Sequence, residues 1–380
     1  MSDPAGDWAA SGAVALTGHR AGPPLVPPGR AASYAQELGA LFDVDGAALL
    51  AERAAFTGHS RRGRISAGGG CRLLRVADGW AAVSCTRPDD PALLGALVEG
   101  PIPDDAPWPA LTSALATIPS STLDDRAALL GVAAHSVASG APAGTPVTVT
   151  GPPRSVQDAV VVSFGALWAG PLCAQLLACR GARVVTVETP RRPDPSRERT
   201  PGFHALLHAR DRSVVLDPAD PTGRAALRAL VAAADVVIEA SRPRALRGFG
   251  LDAEAEVARG ATWISITAAG RGSERVGFGD DVAASAGLVA RDGDGLPVFV
   301  GDAIADPLTG LAAAALAITA PGVLHDVSMT RVVATTLDGT PGGDAVGLRV
   351  ASPRARPVPG PAPAVGADTA AVLAELGVLR

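Results

Sequence analysis

The sequence predicts an α/β protein: a doubly wound parallel sheet forms the larger part, and a smaller α+β unit precedes it. Two observations carry this reading. From about residue 156 onward, short runs of β-branched residues alternate with helical stretches, the pattern of successive βαβ units. Before residue 140 helical segments surround a single pair of short strands, and a Pro/Gly/Thr-rich stretch, GAPAGTPVTVTGPPR, separates the two regions. The expected division is a small domain with an N-terminal arm over 1–140, a linker over 141–155 and a large, Rossmann-like domain over 156–380.

The elements follow in order. Residues 1–30 are rich in Pro and Gly and read as an arm, and Ala31 to Phe56 has helical periodicity. A basic, glycine-rich stretch, HSRRGRISAGGGCR, comes next. Leu73 to Ser84 reads as two short strands joined at Ala77-Asp78-Gly79, and helices are expected near 91–98, 108–116 and 123–137. In the large domain a strand over Asp158 to Phe164, a helix over 170–180 and a strand over Ala182 to Glu188 make the first βαβ unit. Strands at Ser213 to Leu216, Asp235 to Glu239 and Trp263 to Thr267 continue the alternation, with a helix over Gly223 to Ala234. An Ala-rich helix after Gly310, a strand over Val323 to Met329, an extended Pro/Gly-rich segment over Thr340 to Pro363 and a helix over Asp368 to Leu376 complete the chain.

Composition narrows the function classes. With 380 residues, 47% of them hydrophobic, the chain can bury a large core. A net charge of -5 gives no basic surplus for nucleic acid or an anionic membrane. Every non-histidine cationic side chain is arginine, so Schiff-base chemistry, which needs a lysine amine, is excluded. Cys71, Cys85, Cys173 and Cys179 are scattered without metal-ligand spacing and suit a reducing cytoplasm. The N-terminus lacks the features of a signal peptide, and no apolar run is long enough to span a membrane.

The motifs argue mainly by elimination. Gly165 and Gly170 flank the first strand–helix turn and Glu188 ends the next strand, but Gly-x-Gly-x-x-Gly is absent, which argues against nicotinamide binding. There is no Gly-x-Ser-x-Gly elbow and no P-loop. His59 falls in a loop and His135 on an expected helix. His204 and His208 are spaced i,i+4 with no third ligand in pattern, so no metal is expected there. Asp306, before Pro307 and an apolar helix, reads as an N-cap; equally, a carboxylate there is favoured in its ionised form and is able to act as a nucleophile. Gly68, Gly69 and Gly70 read either as a flexible loop or as backbone able to approach a ligand closely.

Collinear segments from about 156 to 380 resemble the class III CoA-transferases: LWAGPLCAQLLACRGARVVTVETP, FHALLHARDRSVVLDP, ADVVIEASRPRALRGFGLD, WISITAAGRGSERVGFGDDVAASAGL, FVGDAIADPLTGLAAAALAI, HDVSM and APAVGADTAAVLAELGV. SAGGGCRLLRVADGWAAVSC resembles the family's small domain, which here comes first, so the domain order is permuted. The resemblance implies an acyl-CoA:carboxylate CoA-transferase with Asp306 as covalent nucleophile and Gly68–Gly70 as a lid whose N–H groups face the intermediates. It places Arg210, Arg212, Ser213, Ser265, Thr267 and Asp281 toward CoA. It implies no prosthetic group, an acyl-CoA and a carboxylic acid as partners, and an interlocked homodimer. Two positions depart from the pattern: Asp211 stands at the family's lysine, and Asp280 stands where the racemase branch has its histidine base. An α-methylacyl-CoA racemase and an inactive CoA-binding protein are the alternatives.

Overall fold

A computed structural model describes residues 3–138, 147–240 and 243–376. The expected boundary at 140 and residues 141–146 of the expected linker lie outside the described residues.

The N-terminal arm is folded. Helix α1 spans Pro4–Ser11 and α2 spans Ala31–Gly39. Trp8 is fully buried and its Nε1 donates to the Gly29 carbonyl at 2.9 Å. The long helix expected over Ala31 to Phe56 is broken, because Gly39 and Gly46 pack backbone to backbone where no Cβ fits, and two short helices follow. Residues from Trp8 to Leu50 share one apolar core with the central helices of the large domain. Within the expected 1–140 unit, the helical front packs against the helices of the large domain.

The small unit has its own core. Strands β1 (Cys71–Val76) and β2 (Gly79–Ser84) form the expected hairpin. Helices α3 (Asp90–Val98), α4 (Pro107–Leu115) and α5 (Ser120–Leu130) cover it through Leu94, Leu111 and Leu123. α5 stops earlier than expected because Gly131 adopts φ +66°, a left-handed C-cap. The chain then enters β3 (Ala134–Ser136), so His135 sits on a strand rather than a helix.

The large domain follows the βαβ reading. Its strands are β4 (Val160–Ser163), β5 (Arg183–Glu188), β6 (Arg212–Val215), β7 (Val236–Glu239), β8 (Thr262–Thr267) and β9 (Leu324–Ser328). All pair in parallel in the order β9-β8-β7-β4-β5-β6. Successive residues of β4 serve opposite cores, Val161 one face and Val162 the other, as a doubly covered sheet requires. Covering helices include α6 (Ala169–Cys179), α7 (Pro201–His208), α8 (Pro221–Ala232), α9 (Gly279–Ser285), α10 (Ala305–Thr319) and α11 (Met329–Thr335).

Strand order reverses between β4 and β7, and that switch point opens a crevice beyond their carboxyl ends. The close contact of Gly165 with Gly170 lets the β4–α6 turn fold tightly there: a Cβ on either would come within 3 Å of the other's Cα. The segment expected to be extended over Thr340 to Pro363 largely lacks regular structure but is tied down, with Arg356 bonded to the buried Glu52 at 2.8 Å and the Ala351 N–H to the Ala9 carbonyl. Among the described residues no helix is long and apolar enough to cross a membrane.

Candidate active site

Asp306 lies where two cavities meet. The first, about 600 Å³, is lined by Arg53, His59, Gly68, Gly70, Arg199 and Asp280 among others. The second, about 740 Å³, occupies the switch-point crevice, with Ala166 beyond β4, Ala240 beyond β7 and Ile266 to Ala268 at the end of β8. Asp306, Leu167 and Phe278 line both.

The expected capping geometry is corrected. Helix α10 begins one residue before Asp306, and its N-cap is Ile304, with no side-chain cap. Asp306 therefore does not spend its oxygens on capping and stands in the first turn, where the helix dipole favours its anion. Burial acts against ionisation more strongly. The carboxyl faces the cavities, yet it is enclosed deep in the chain and pushed up to about 7 by desolvation; Arg53 opposes the shift, while Asp280 and Asp302 add to it.

Three further aspartates surround it. Asp302, fully buried, receives Arg53 Nη2 at 2.6 Å and Arg53 Nε at 2.9 Å, with His59 Nδ1 at 3.3 Å. Burial alone would raise the Asp302 carboxyl, but Arg53 and His59 hold it well below the usual carboxylate range. Arg53 is itself fixed over the Trp168 ring at 5.0 Å. Asp280 takes the Ala303 N–H at 2.9 Å and is pushed up to about 6 by burial and the Asp302 charge. Asp281, fully buried, accepts from Ser84 Oγ at 2.6 Å and from the Phe278 N–H at 3.1 Å; burial pushes it up to about 8. The Ser84 bond reaches across from the small unit, so Asp281 fastens the hairpin to α9 and faces neither cavity.

The glycine loop turns tightly before β1. Gly69 has φ +82° and its N–H is bonded to the Ser66 carbonyl at 2.8 Å, while Gly68 and Gly70 line the first cavity. Of the residues expected toward CoA, Thr267 lines the second cavity and also accepts the Gly270 N–H at 2.8 Å. Ser265 is buried and donates to Glu239 at 3.1 Å. Arg212 pairs with Glu375 at 2.6 Å, and Ser213 holds Gly366 and Asp368 of the C-terminal segment. Arg210 is exposed on the same edge of the sheet; Arg210, Arg212, Ser213 and Ser265 line neither cavity. Glu188, the acid that a dinucleotide would use, is occupied by Arg197 at 2.5 Å and the Asp194 N–H at 2.6 Å.

Sequence reasoning missed Arg53, His59 and Asp302 as parts of the site. Asp302 was within reach, since it stands one helical turn before Asp306 in the quoted GDAIAD run. Arg53 and His59 come from a distant segment, and only the fold brings them together. The arginines in the second cavity, Arg87, Arg192 and Arg275, were also unmarked.

In open parallel sheets of this strand order the switch-point crevice is where ligands bind, and Asp306 stands beside it. Residues 156–339 match the model of CoA-transferase family III. It is similar to a succinyl-CoA–D-citramalate CoA-transferase of Chloroflexus aurantiacus, 36% identical over 183 residues that make up 44% of this chain and 46% of that protein. It is also similar to a succinate–glutarate CoA-transferase of Agrobacterium fabrum, 33% identical over 171 residues, 40% of this chain and 43% of that protein. A CAIB/BAIF family protein from Brucella suis aligns structurally with TM-score 0.44 and 29% identity over 49% of this chain and 56% of that chain. The chain spans about half the length of the curated relatives it matches.

Proposed function

We propose that this chain is an acyl-CoA:carboxylate CoA-transferase whose covalent nucleophile is Asp306. The observation that carries the reading is the placement of a single carboxylate at the junction of two cavities, one at the coenzyme-binding end of the sheet and one against the glycine loop. CoA occupies the switch-point crevice, where Arg192 and Arg275 face its phosphates. The acyl group and the acceptor acid occupy the first cavity.

An ionised Asp306 oxygen attacks the thioester carbonyl and CoA thiolate leaves, giving a mixed anhydride. Thiolate then attacks the Asp306 carbonyl, releasing the original acid and leaving an aspartyl-CoA thioester. The incoming carboxylate repeats the two steps in reverse order and departs as the new thioester. Gly68 and Gly70 bound the space where these oxyanions form and present backbone to them without side chains.

The reaction needs no prosthetic group, only CoA thioester and acid. The four cysteines, all unpaired, support a cytoplasmic setting. The resemblance implies an interlocked homodimer; the glycine loop and Asp306 line one cavity of a single chain.

One observation favours a second reading. Asp280 and Asp306 line the same cavity with carboxyls raised to about 6 and 7, a range suited to proton exchange at an α-carbon. Hydroxylamine added to enzyme and acyl-CoA separates the readings: transfer requires an aspartyl hydroxamate at residue 306. Rapid α-deuterium wash-in without that adduct would replace the transferase with an isomerase.

A further inference from the structure

Behind the wall of the first cavity lies a second polar cluster that the reaction does not use. His204 and His208 stand on one face of α7, rings stacked at 4.3 Å, and both are almost wholly buried, at 3% and 2% exposure. Asp194, 4% exposed, comes from the loop after β5 and completes a group whose donor atoms all lie within 4.8 Å of one another. The sequence offered no third ligand for the histidine pair; the fold supplies one ten residues upstream.

We propose that Asp194, His204 and His208 form a binding site for a divalent d-block cation of the zinc type. Two imidazole nitrogens and a carboxylate oxygen are a donor set for such ions rather than for magnesium or calcium. His208 Nε2 is 3.8 Å from Asp194 Oδ2, and tetrahedral bonds of about 2.0–2.1 Å put ligand atoms roughly 3.3 Å apart, so side-chain adjustments well under 2 Å close the trio.

Independent observations point to a ligand. The Nε2 atoms of both histidines are buried with no hydrogen-bond partner, a costly arrangement that a cation relieves. His208 Nδ1 is bonded to Asp211 at 2.8 Å, and Asp211 is itself fixed by Thr186 Oγ1 at 2.7 Å. An ionised Asp211 requires the proton on Nδ1, which leaves the Nε2 lone pair directed into the cluster; this is the carboxylate–histidine–metal relay of metal sites. Asp211, the residue that departs from the family's lysine, thus acquires a role. On the other side Ser196 bonds His204 Nδ1 at 2.8 Å, and Asp194 Oδ2 accepts the Leu167 N–H at 3.1 Å. Since Leu167 has φ +66° and lines both cavities, the cation would brace the wall between them.

Full-length protein stripped with a chelator and titrated with Zn²⁺ against a chromogenic competitor should bind one ion per chain and melt at higher temperature when loaded. Asp211→Asn should weaken binding about 10–100-fold. A His204→Gln/His208→Gln double variant should lose it. Co²⁺ in place of Zn²⁺ should give the intense visible bands of a four-coordinate site. Wild-type protein that takes up no Zn²⁺ under these conditions overturns the proposal, whether or not the double variant folds. Uptake unchanged in a folded double variant overturns it equally, because the ion then sits elsewhere.

Discussion

Gly279→Ala tests the placement of Asp306 without touching its chemistry. Gly279 opens α9 directly beneath Asp306, the proposed nucleophile. A Cβ there would come 2.5 Å from Asp306 Oδ2 and closer still to the Ala303 carbonyl oxygen. Ordinary contact requires about 3.4 Å, so the start of α10 and the carboxylate must retreat by about 1 Å. Overpacking of this kind costs about 1–3 kcal/mol of stability. Misplacing a reacting group by about 1 Å costs on the order of 10²-fold in rate. The expected result is a folded enzyme with single-turnover transfer slowed about 100-fold and CoA affinity within a few-fold of wild type, since most of the switch-point crevice, such as Ala166, Ala240 and Ile266 to Ala268, is lined by other elements. Gly248→Ala, where a Cβ meets nothing within 4 Å, is the control and should be neutral. A Gly279→Ala enzyme with wild-type single-turnover rate would refute the role given to Asp306, because no nucleophile displaced so far keeps its rate.

Three other outcomes follow from the same cluster. Transfer requires ionised Asp306, so kcat/KM should fall below an acidic limb near pH 7; Asp280→Asn removes a neighbouring negative charge and should move that limb down by on the order of one pH unit, and an unmoved limb would mean another group titrates. Arg53→Met leaves Asp302 buried without its cation and should cost about 3–5 kcal/mol in urea denaturation at pH 7. The sign with pH is fixed: the depressed Asp302 contributes stability above its unfolded value near 4 and loses it only as pH falls through the folded value, whereas the variant regains stability once Asp302 protonates, so the gap should narrow toward pH 5. Gly69→Val forces a branched side chain into φ +82°, about 1–3 kcal/mol of strain, and should slow turnover more than it weakens CoA binding; normal turnover would make the loop a connector only.

The parallel sheet was legible because its strands are short apolar runs separated by helices, and periodicity of that kind survives without tertiary information. The misjudged places are those where long-range contact outweighs local pattern. Ala31 to Phe56 has helical spacing, but Gly39 and Gly46 must touch, which breaks the helix. The helix expected through 137 ends at Gly131 because hairpin pairing claims Ala134 to Ser136. Asp306 looked like a cap because Asp-Pro is a common helix start; α10 instead begins a residue earlier, in a chain packed on every side. The site was half legible for a related reason. Asp306 and the glycine run are local features, whereas Arg53 belongs to a segment that reaches Asp302 only after the N-terminal helices fold onto the large domain.

The permuted domain order that the sequence resemblance implies requires the two parts of the proposed site to be joined through space rather than along the chain. The proposed nucleophile, Asp306, is carried by the large domain and the glycine loop by the small unit. What joins them includes the buried bonds from Ser84 to Asp281 and from His135 to the Val276 carbonyl at 2.8 Å, beside an apolar cluster of Cys71, Leu73, Ala82, Ala284, Val289 and Phe299. Each bond spans a large separation in sequence, and each satisfies a buried group that would otherwise be costly to leave unpaired. Such bonds demand spatial proximity and are indifferent to connectivity, so a small unit placed at the front would keep them provided that the intervening chain reaches. The N-terminal helices meet that condition by packing against α6 and α10, which brings Arg53 and His59 to Asp302 and delivers the glycine loop immediately after them. Asp306 is thereby held between one cation and two neighbouring carboxylates, and its ionisation depends on all three.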